Sequence, residues 1–179
     1  PAHQRSQWIG RVFQNPFAGT APTMTVAENL RLAALRGLPK RPIIGLTRQF
    51  RNQLRDRVAT LGMELEERME TPIGLLSGGQ RQALTLLMAT LRTPDILLLD
   101  EHTAALDPGS AEKVMELTAR IVGEANLTTL MVTHDMEQAI GFGQRLVMMA
   151  RGRIGLDVAG LEKSHLTAAT LMERFVRGR

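Results

Sequence analysis

Two apolar runs in this sequence end in ionisable side chains. Ile96–Leu99 leads into Asp100-Glu101, and Thr128–Thr133 (TTLMVT) leads into His134-Asp135. Adjacent carboxylates can divide two jobs: the first can hold a hydrated divalent cation, and the second can orient or deprotonate a water molecule. A histidine within reach could bond the charge that develops on a transferred phosphoryl group. Taken alone, an Asp-Glu pair reads as a helix N-cap, and a single histidine as a capping or packed side chain. Their joint placement after consecutive strands is what points to chemistry. A third stretch, Leu76-Ser77-Gly78-Gly79-Gln80, opens an amphipathic segment. Ser77 can cap that helix, and two glycines keep its first turn free of side chains. Backbone N–H groups and the positive end of the helix dipole are then open to a phosphate. An SGG turn by itself is weak evidence; LSGGQ followed by an amphipathic helix and then by ILLLDE is strong.

These residues need elements to position them. Trp8–Phe13 (WIGRVF) predicts a short strand that stops at Gln14-Asn15-Pro16. Thr25 with Glu28 three residues on forms a capping box for a helix through Leu30, Ala33 and Ala34, which Gly37 and Pro39 stop. A second helix is expected over Leu46–Leu61. Leu84, Leu87, Met88 and Leu91 recur at helical spacing and predict a helix with one buried face, broken at Thr93-Pro94. Ile96–Leu99 predicts a strand covered on both faces. Asp107-Pro108 starts a helix with an inner stripe of Ala111, Val114, Leu117 and Ile121. Thr128–Thr133 is expected to be another buried strand, followed by a short helix to about Phe142. Arg145–Ala150 and Arg153–Asp157 flank a turn at Arg151-Gly152, and a last helix runs from about Thr167 to Val176. Strand–helix–strand alternation with buried strands predicts the α/β class with a parallel sheet, whose functional edge lies beyond the strands' carboxyl ends. The first ~90 residues are mostly helical by pattern.

Composition narrows the function classes. The chain has 179 residues, 44% apolar and 22% charged, which is globular rather than disordered. The absence of cysteine excludes a disulfide scaffold and any thiolate metal site. No apolar run approaches the ~18 residues that cross a bilayer. Lys and Arg number 22 against 18 Asp and Glu, a net charge of +4, but the charge is uneven. From Arg31 to Arg57, Arg31, Arg36, Lys40, Arg41, Arg48, Arg51, Arg55 and Arg57 face only Asp56, so a window of net +7 sits on a remainder of net −3. Such a window suits phosphate, nucleic acid or an anionic membrane surface, or is simply a solvated helix face. Only Phe50 interleaves with these arginines, which weakens a base-stacking reading.

With these motifs in order, the chain resembles the ATP-binding subunit of ABC transporters. LSGGQ at Leu76–Gln80 looks like the family signature, and ILLLDE at Ile96–Glu101 looks like the Walker B strand with its catalytic glutamate. Ala105-Leu106-Asp107 resembles the D-loop, His134 the switch histidine, and Gln14 in VFQNP the Q-loop glutamine. The resemblance implies a P-loop NTPase (RecA-like) parallel sheet, incomplete at the N-terminus, with an inserted helical subdomain. Residues 1–15 would end the N-terminal lobe, 16–92 would form the helical subdomain and signature helix, and 93–179 the α/β core. It implies ATP and Mg²⁺, with Asp100 helping to hold the metal and Glu101 acting on the attacking water. Gln14 would sense metal and γ-phosphate, and His134 would contact the γ-phosphate. Ser77, Gly78, Gly79, Gln80 and Asp107 would belong to the nucleotide site, the signature residues capping a nucleotide held by the opposite subunit. The implied partners are a second ATPase subunit, as homodimer or heterodimer, transmembrane permease subunits and, indirectly, a periplasmic binding protein. The implied place is the cytoplasmic face of the bacterial inner membrane. The 63 residues between Gln14 and Ser77 leave no room for the long coiled coil of the chromosome-maintenance relatives, so no nucleic-acid partner is expected. The basic window would then face the membrane partner or anionic headgroups.

The chain departs from the family pattern twice. No GxxxxGK[ST] loop occurs: Lys40, Lys113 and Lys163 follow Pro39, Glu112 and Glu162. Together with a start at Pro1, this leads to the expectation of a fragment that lacks the first strands and the P-loop and binds ATP poorly by itself. The second departure is His102, where the family usually has proline. It is a neutral variant, a tuned edge of the active site, or a metal ligand; a zinc site from Glu101, His102 and His134 is the disfavoured case. The variant looks like bacterial amino-acid-type uptake systems, with an aromatic amino acid as one cargo. The alternatives are a catalytically inactive docking module without a P-loop and a nucleic-acid-associated ABC ATPase.

Overall fold

The computed structural model describes residues 5–38 and 47–177, with side chains to residue 174. Lys40 and Arg41 of the basic window, Pro39 and the expected helix start at Leu46 lie outside the described residues. The chain divides into two compact units, residues 1–131 and 132–179.

In the first unit, strand β1 (Ile9–Val12) pairs in parallel with β2 (Ile96–Asp100), in register from Ile9↔Ile96 to Val12↔Leu99. Strand β3 (Thr129–Val132) lies on the other side of β2, giving the sheet order β1-β2-β3. Helix α1 (Val26–Ala34) opens on the expected capping box: Thr25 Oγ1 accepts from Glu28 N and a Glu28 carboxylate oxygen accepts from Thr25 N. Helix α2 (Arg48–Ala59) is capped by Thr47, and a 3-10 turn at Ile73–Leu75 leads to α3 (Gly78–Thr90). Helix α4 (Pro108–Glu124) connects β2 to β3.

Helix α3 differs from its expected one-sided burial. Arg81, Gln82, Ala83, Thr85, Leu86 and Ala89 are buried along with Leu84 and Leu87. The reason is three-sided packing, because β1, α1 and α4 all lie against it. Gly10 of β1 lets this happen, since a Cβ there would stand 2.8 Å from the Ala89 carbonyl oxygen of α3. The strands are also less enclosed than their apolar runs suggested. Leu97 and Leu99 of β2 are buried, whereas Ile96 and Leu98 are only half-buried. In β3, Leu130 and Val132 are 58% and 53% exposed, because no described element covers that face. An apolar run reports the preference of a strand for burial, not which neighbours arrive to satisfy it.

The basic window is largely spent inside the unit. Arg51 pairs with Glu70 and Arg55 with Glu67. The Arg31 guanidinium lies over the Phe50 ring at 4.8 Å, and Arg36 donates to the Ala89 carbonyl at 2.7 Å and to that of Arg92. Four of the six described basic residues of the window thus have partners within the fold.

Two buried polar residues hold loops that no periodicity reveals. Asn29, 1% exposed, accepts from Ala21 N at 2.8 Å and donates to the carbonyls of Ala21, Met24 and Thr25. His102, 2% exposed, meets Thr118 of α4 at 3.1 Å, and burial pushes its pKa down to about 4.

The second unit is a hairpin with helices. Strands β4 (Arg145–Ala150) and β5 (Arg153–Ala159) pair antiparallel, with a register shift at Met148/Met149. Leu146, Val158, Leu166 and Leu171 form its core, with Ile140 of α5 (Met136–Gly141) packed on them. A short helix not expected from the sequence, α6 (Gly160–Ser164), precedes α7 (Ala168–Arg177). Lys163 of α6 is buried and donates to the Phe142 and Gly143 carbonyls at 2.9 Å, and to that of Ile140. Its ammonium thus caps the carbonyl end of α5.

Replacing Asn29 by alanine strands the Ala21 N–H and three carbonyls, and is expected to cost roughly 2–3 kcal/mol in urea unfolding. Stability also depends on His102. The unfolded chain takes up the imidazole proton near pH 6.5 and the folded chain only near pH 4. The unfolded state therefore binds more protons between these values, and stability is full above pH 6.5, falls as pH drops toward 4, and levels below that. The loss between pH 6.5 and 5 is expected to be about 2 kcal/mol at 1.36 kcal/mol per unit. His102→Gln should flatten that part of the pH–stability curve.

Candidate active site

The parallel pairing of β1 with β2 sets the chain ends beyond both strands side by side. Asp100 closes β2, and Arg11 of β1 donates from Nη2 to its Oδ2 at 2.9 Å. The same guanidinium lies over the Phe13 ring at 4.4 Å, which steadies it. The Asp100 side chain keeps 45% exposure. Beyond it, Glu101 adopts φ +45°, a left-handed conformation that costs a residue with a Cβ on the order of 1–3 kcal/mol. Two successive turns follow, closed by Ala104 N to Glu101 O at 3.0 Å and Leu106 N to Thr103 O at 3.1 Å. The Glu101 carboxylate accepts, at Oε2, a hydrogen bond of 3.1 Å from Nε2 of Gln14, 87 residues earlier. Gln14 is steadied from α3, where Gln82 donates to the Phe13 carbonyl at 3.1 Å. Asp100, Glu101 and Gln14 are thus brought together.

The Ser77–Gln80 turn is built more tightly than a bare phosphate cradle. Ser77 Oγ accepts from Gln80 N, and Gln80 Oε1 accepts from Ser77 N, both at 3.2 Å, a capping box at the start of α3. The Gln80 amide also accepts from Arg68 at 3.2 Å and donates to the Met63 carbonyl at 3.3 Å, so it is occupied within the protein. Ser77 and Gly78 are exposed, but Gly79 is buried. A Cβ on Gly79 would lie 2.9 Å from Ser110 Oγ, so its second role is to admit the start of α4. The stretch Ala105-Leu106-Asp107 is therefore a neighbour of the signature turn in the same chain. Asp107 caps α4 by accepting from Ser110 N at 3.0 Å, and hydrogen bonds from Ser110, side chain before backbone, hold its carboxyl below the usual range.

Two site-supporting residues were not legible. Arg81, 8% exposed, donates to the Leu76, Gly74 and Ile73 carbonyls and lies 3.8 Å from the centre of the Phe17 ring. It fixes the chain entering the signature turn. Gln82 is fully buried with its Oε1 lacking a partner. The signal that could have found both is a pair of long polar side chains inside an otherwise apolar helical stretch.

His134 belongs to the second unit and is exposed there. Thr133 Oγ1 accepts from Asp135 N at 3.0 Å, and Asp135 Oδ1 accepts from Glu137 N and Gln138 N at 2.9 and 3.0 Å. The backbone on either side of the imidazole is therefore set by a hydroxyl turn and a helix cap. His102, in contrast, is turned into the core on Thr118, which removes it from the zinc set weighed with Glu101 and His134. Among the described residues, no three His, Cys, Asp or Glu side chains cluster as a metal cage. The half-exposed Asp100 carboxylate and the Gln14 amide oxygen are hard oxygen donors, the kind Mg²⁺ takes when phosphate and water complete its shell.

The family pattern described as ABC transporter matches residues 1–104. A tyrosine transport ATP-binding protein of Clostridioides difficile is 45% identical over 176 residues, which cover 97% of this chain and 68% of that protein. An aliphatic sulfonates import ATP-binding protein of Escherichia coli K12 is 35% identical over 148 residues, covering 79% of this chain and 57% of the relative. A dimeric ATP-binding cassette solved in a post-hydrolysis state with ADP and Pi is 29% identical. It superposes with a TM-score of 0.67 over 84% of this chain and 62% of that one. The chain thus spans about two thirds or less of the proteins it matches. No helix among the described residues is long and apolar enough to cross a membrane. A match over more than half of its residues, and an ATP-binding relative 45% identical over 97% of the chain, place the chain in the ABC transporter family, among its ATP-binding subunits.

Proposed function

We propose that the chain is the signature-bearing part of an ATP-hydrolysing subunit that powers import of a small solute through a membrane permease, with an amino acid as cargo. The observation that carries the chemistry is the Gln14–Glu101 hydrogen bond beside Asp100, at the end of strand β2 of an ABC-family chain. Glu101 is the general base: its carboxylate accepts a proton from water as the water oxygen bonds to the γ-phosphorus and the bond to the ADP oxygen breaks. Gln14, already bonded to that carboxylate, reports on the same locus from the β1 side. Asp100 would hold Mg²⁺, which when bound would supply charge neutralisation for phosphoryl transfer. His134 donates to the γ-phosphate from its capped turn. Ser77 and Gly78, exposed at the positive end of α3, contact the nucleotide of an opposing subunit, with Gly79 and Gln80 shaping that turn from inside and Asp107 holding the neighbouring loop. Residues 16–92 serve as the helical subdomain that meets the permease, at the cytoplasmic face of the membrane. A periplasmic binding protein would act one step further away. The tyrosine-transport relative supports the amino-acid reading.

Two outcomes are expected in the intact natural protein. Glu101→Gln should lower ATP turnover by at least about 100-fold, the scale of a general base, while ATP binding survives and a nucleotide-bound dimer accumulates on a sizing column. Normal hydrolysis by that variant refutes the role of Glu101. His134→Ala should reduce kcat by at least about tenfold and change ATP affinity less than threefold, because positioning and charge stabilisation act on the transition state. Equal ATPase rates for His134→Ala and wild type would count against the switch role.

A further inference from the structure

The residue that follows Glu101 is buried, polar and hydrogen-bonded to a helix that itself leaves the site. Thr118 Oγ1 donates its single hydrogen to the Val114 carbonyl at 2.7 Å. The His102 Nε2 that stands 3.1 Å from the same oxygen must therefore carry a hydrogen and donate it. The Nε2–H therefore points at α4. Both partners are fully enclosed, His102 at 2% exposure and Thr118 at 0%. An imidazole unable to reach water cannot swing away without abandoning this bond, at the cost of a buried unsatisfied donor.

The position matters because of what lies one residue away. Glu101 sits at φ +45°, a conformation that L residues rarely hold unless their surroundings impose it. On its N-terminal side, Asp100 is pinned by the β1–β2 ladder and by Arg11. On its C-terminal side, the next anchor is the His102–Thr118 bond, reinforced by the Ala104 N to Glu101 O turn at 3.0 Å. The Gln14 bond holds the carboxylate end of the same side chain.

We propose that His102 is a positioning residue for Glu101: anchored on Thr118 of α4, it maintains the left-handed turn that presents the Glu101 carboxylate beside Gln14. The inference rests on the reading of Glu101 as general base. It links the orientation of the base to α4, whose first turn packs against the signature turn through Ser110 and Gly79.

The experiment is a double-mutant cycle in the intact natural protein, with kcat and KM for ATP measured alongside thermal unfolding. Thr118→Val removes the acceptor at nearly constant volume, and Thr118→Ser restores it. Thr118→Val should lower kcat by about fivefold to tenfold, with KM within twofold of wild type. Thr118→Ser should return kcat to within twofold. In a Glu101→Gln background, Thr118→Val should change the residual rate less than twofold, because a misplaced base matters only when the base is present. Unchanged kcat in Thr118→Val, or an equal loss in both backgrounds, overturns the proposal. If Thr118→Val does not fold, His102→Gln and His102→Leu decide instead. The glutamine amide can still donate to Thr118 and should keep at least half of kcat, whereas the leucine should lose about fivefold to tenfold. Equal rates for these two overturn the proposal. Wild-type turnover in Glu101→Gln alone would instead refute the general-base reading, whereas an inactive Glu101→Gln beside a fully active Thr118→Val would refute only the positioning role of His102.

Discussion

The parallel pairing of β1 with β2 is the contact on which the site depends. Gln14 and Glu101 are separated by 87 residues, and nothing local relates them. Four registered pairs of residues place the ends of the two strands together, and each end then contributes one polar side chain to the same spot. The pairing requires a flat, side-chain-free approach at Gly10, where the backbone of α3 presses on the strand. Without that approach the ladder would splay and the glutamine would have no fixed relation to the glutamate.

Helix α3 is the hub around which this pairing is organised. It begins as the signature turn and continues as the most enclosed helix of the first unit, against β1, α1 and α4. Its polar residues are used structurally: Gln82 holds the Phe13 carbonyl ahead of Gln14, Arg81 gathers three carbonyls before Ser77, and Gln80 closes the capping box. The turn proposed to meet a nucleotide is therefore also a packing device, in which Gly79 admits the start of α4. The short distance to Ser110 couples the turn mechanically to α4, and α4 in turn holds His102 through Thr118.

Charge patterning shows a different relation between sequence and structure. A window of net +7 looked like a surface for an anionic partner, but Arg51 and Arg55 meet Glu70 and Glu67, Arg31 stacks on Phe50, and Arg36 caps carbonyls at the end of α3. The acids that pair with Arg55 and Arg51 lie 12 and 19 residues downstream in the chain, beyond any local count of charge. Exposed pairs of this kind contribute little stability each.

Local chemistry was legible from the residues alone. Thr25 and Ser77 cap helices because a hydroxyl followed by a suitable residue three positions later satisfies backbone donors wherever it occurs. The same holds for the strand that ends at Asp100 and for the fold class, since alternating strands and amphipathic helices admit few arrangements. The ordered motifs also carried the family. What only the tertiary structure decided was long-range: which face of α3 was left uncovered, that Leu130 and Val132 would stand exposed, where the arginines would go, and that His102 would turn inward rather than toward Glu101. These depend on which distant segments arrive to pack or to pair. Periodicity and capping are encoded within a few residues, whereas burial and partnership belong to contacts that sequence spacing does not specify.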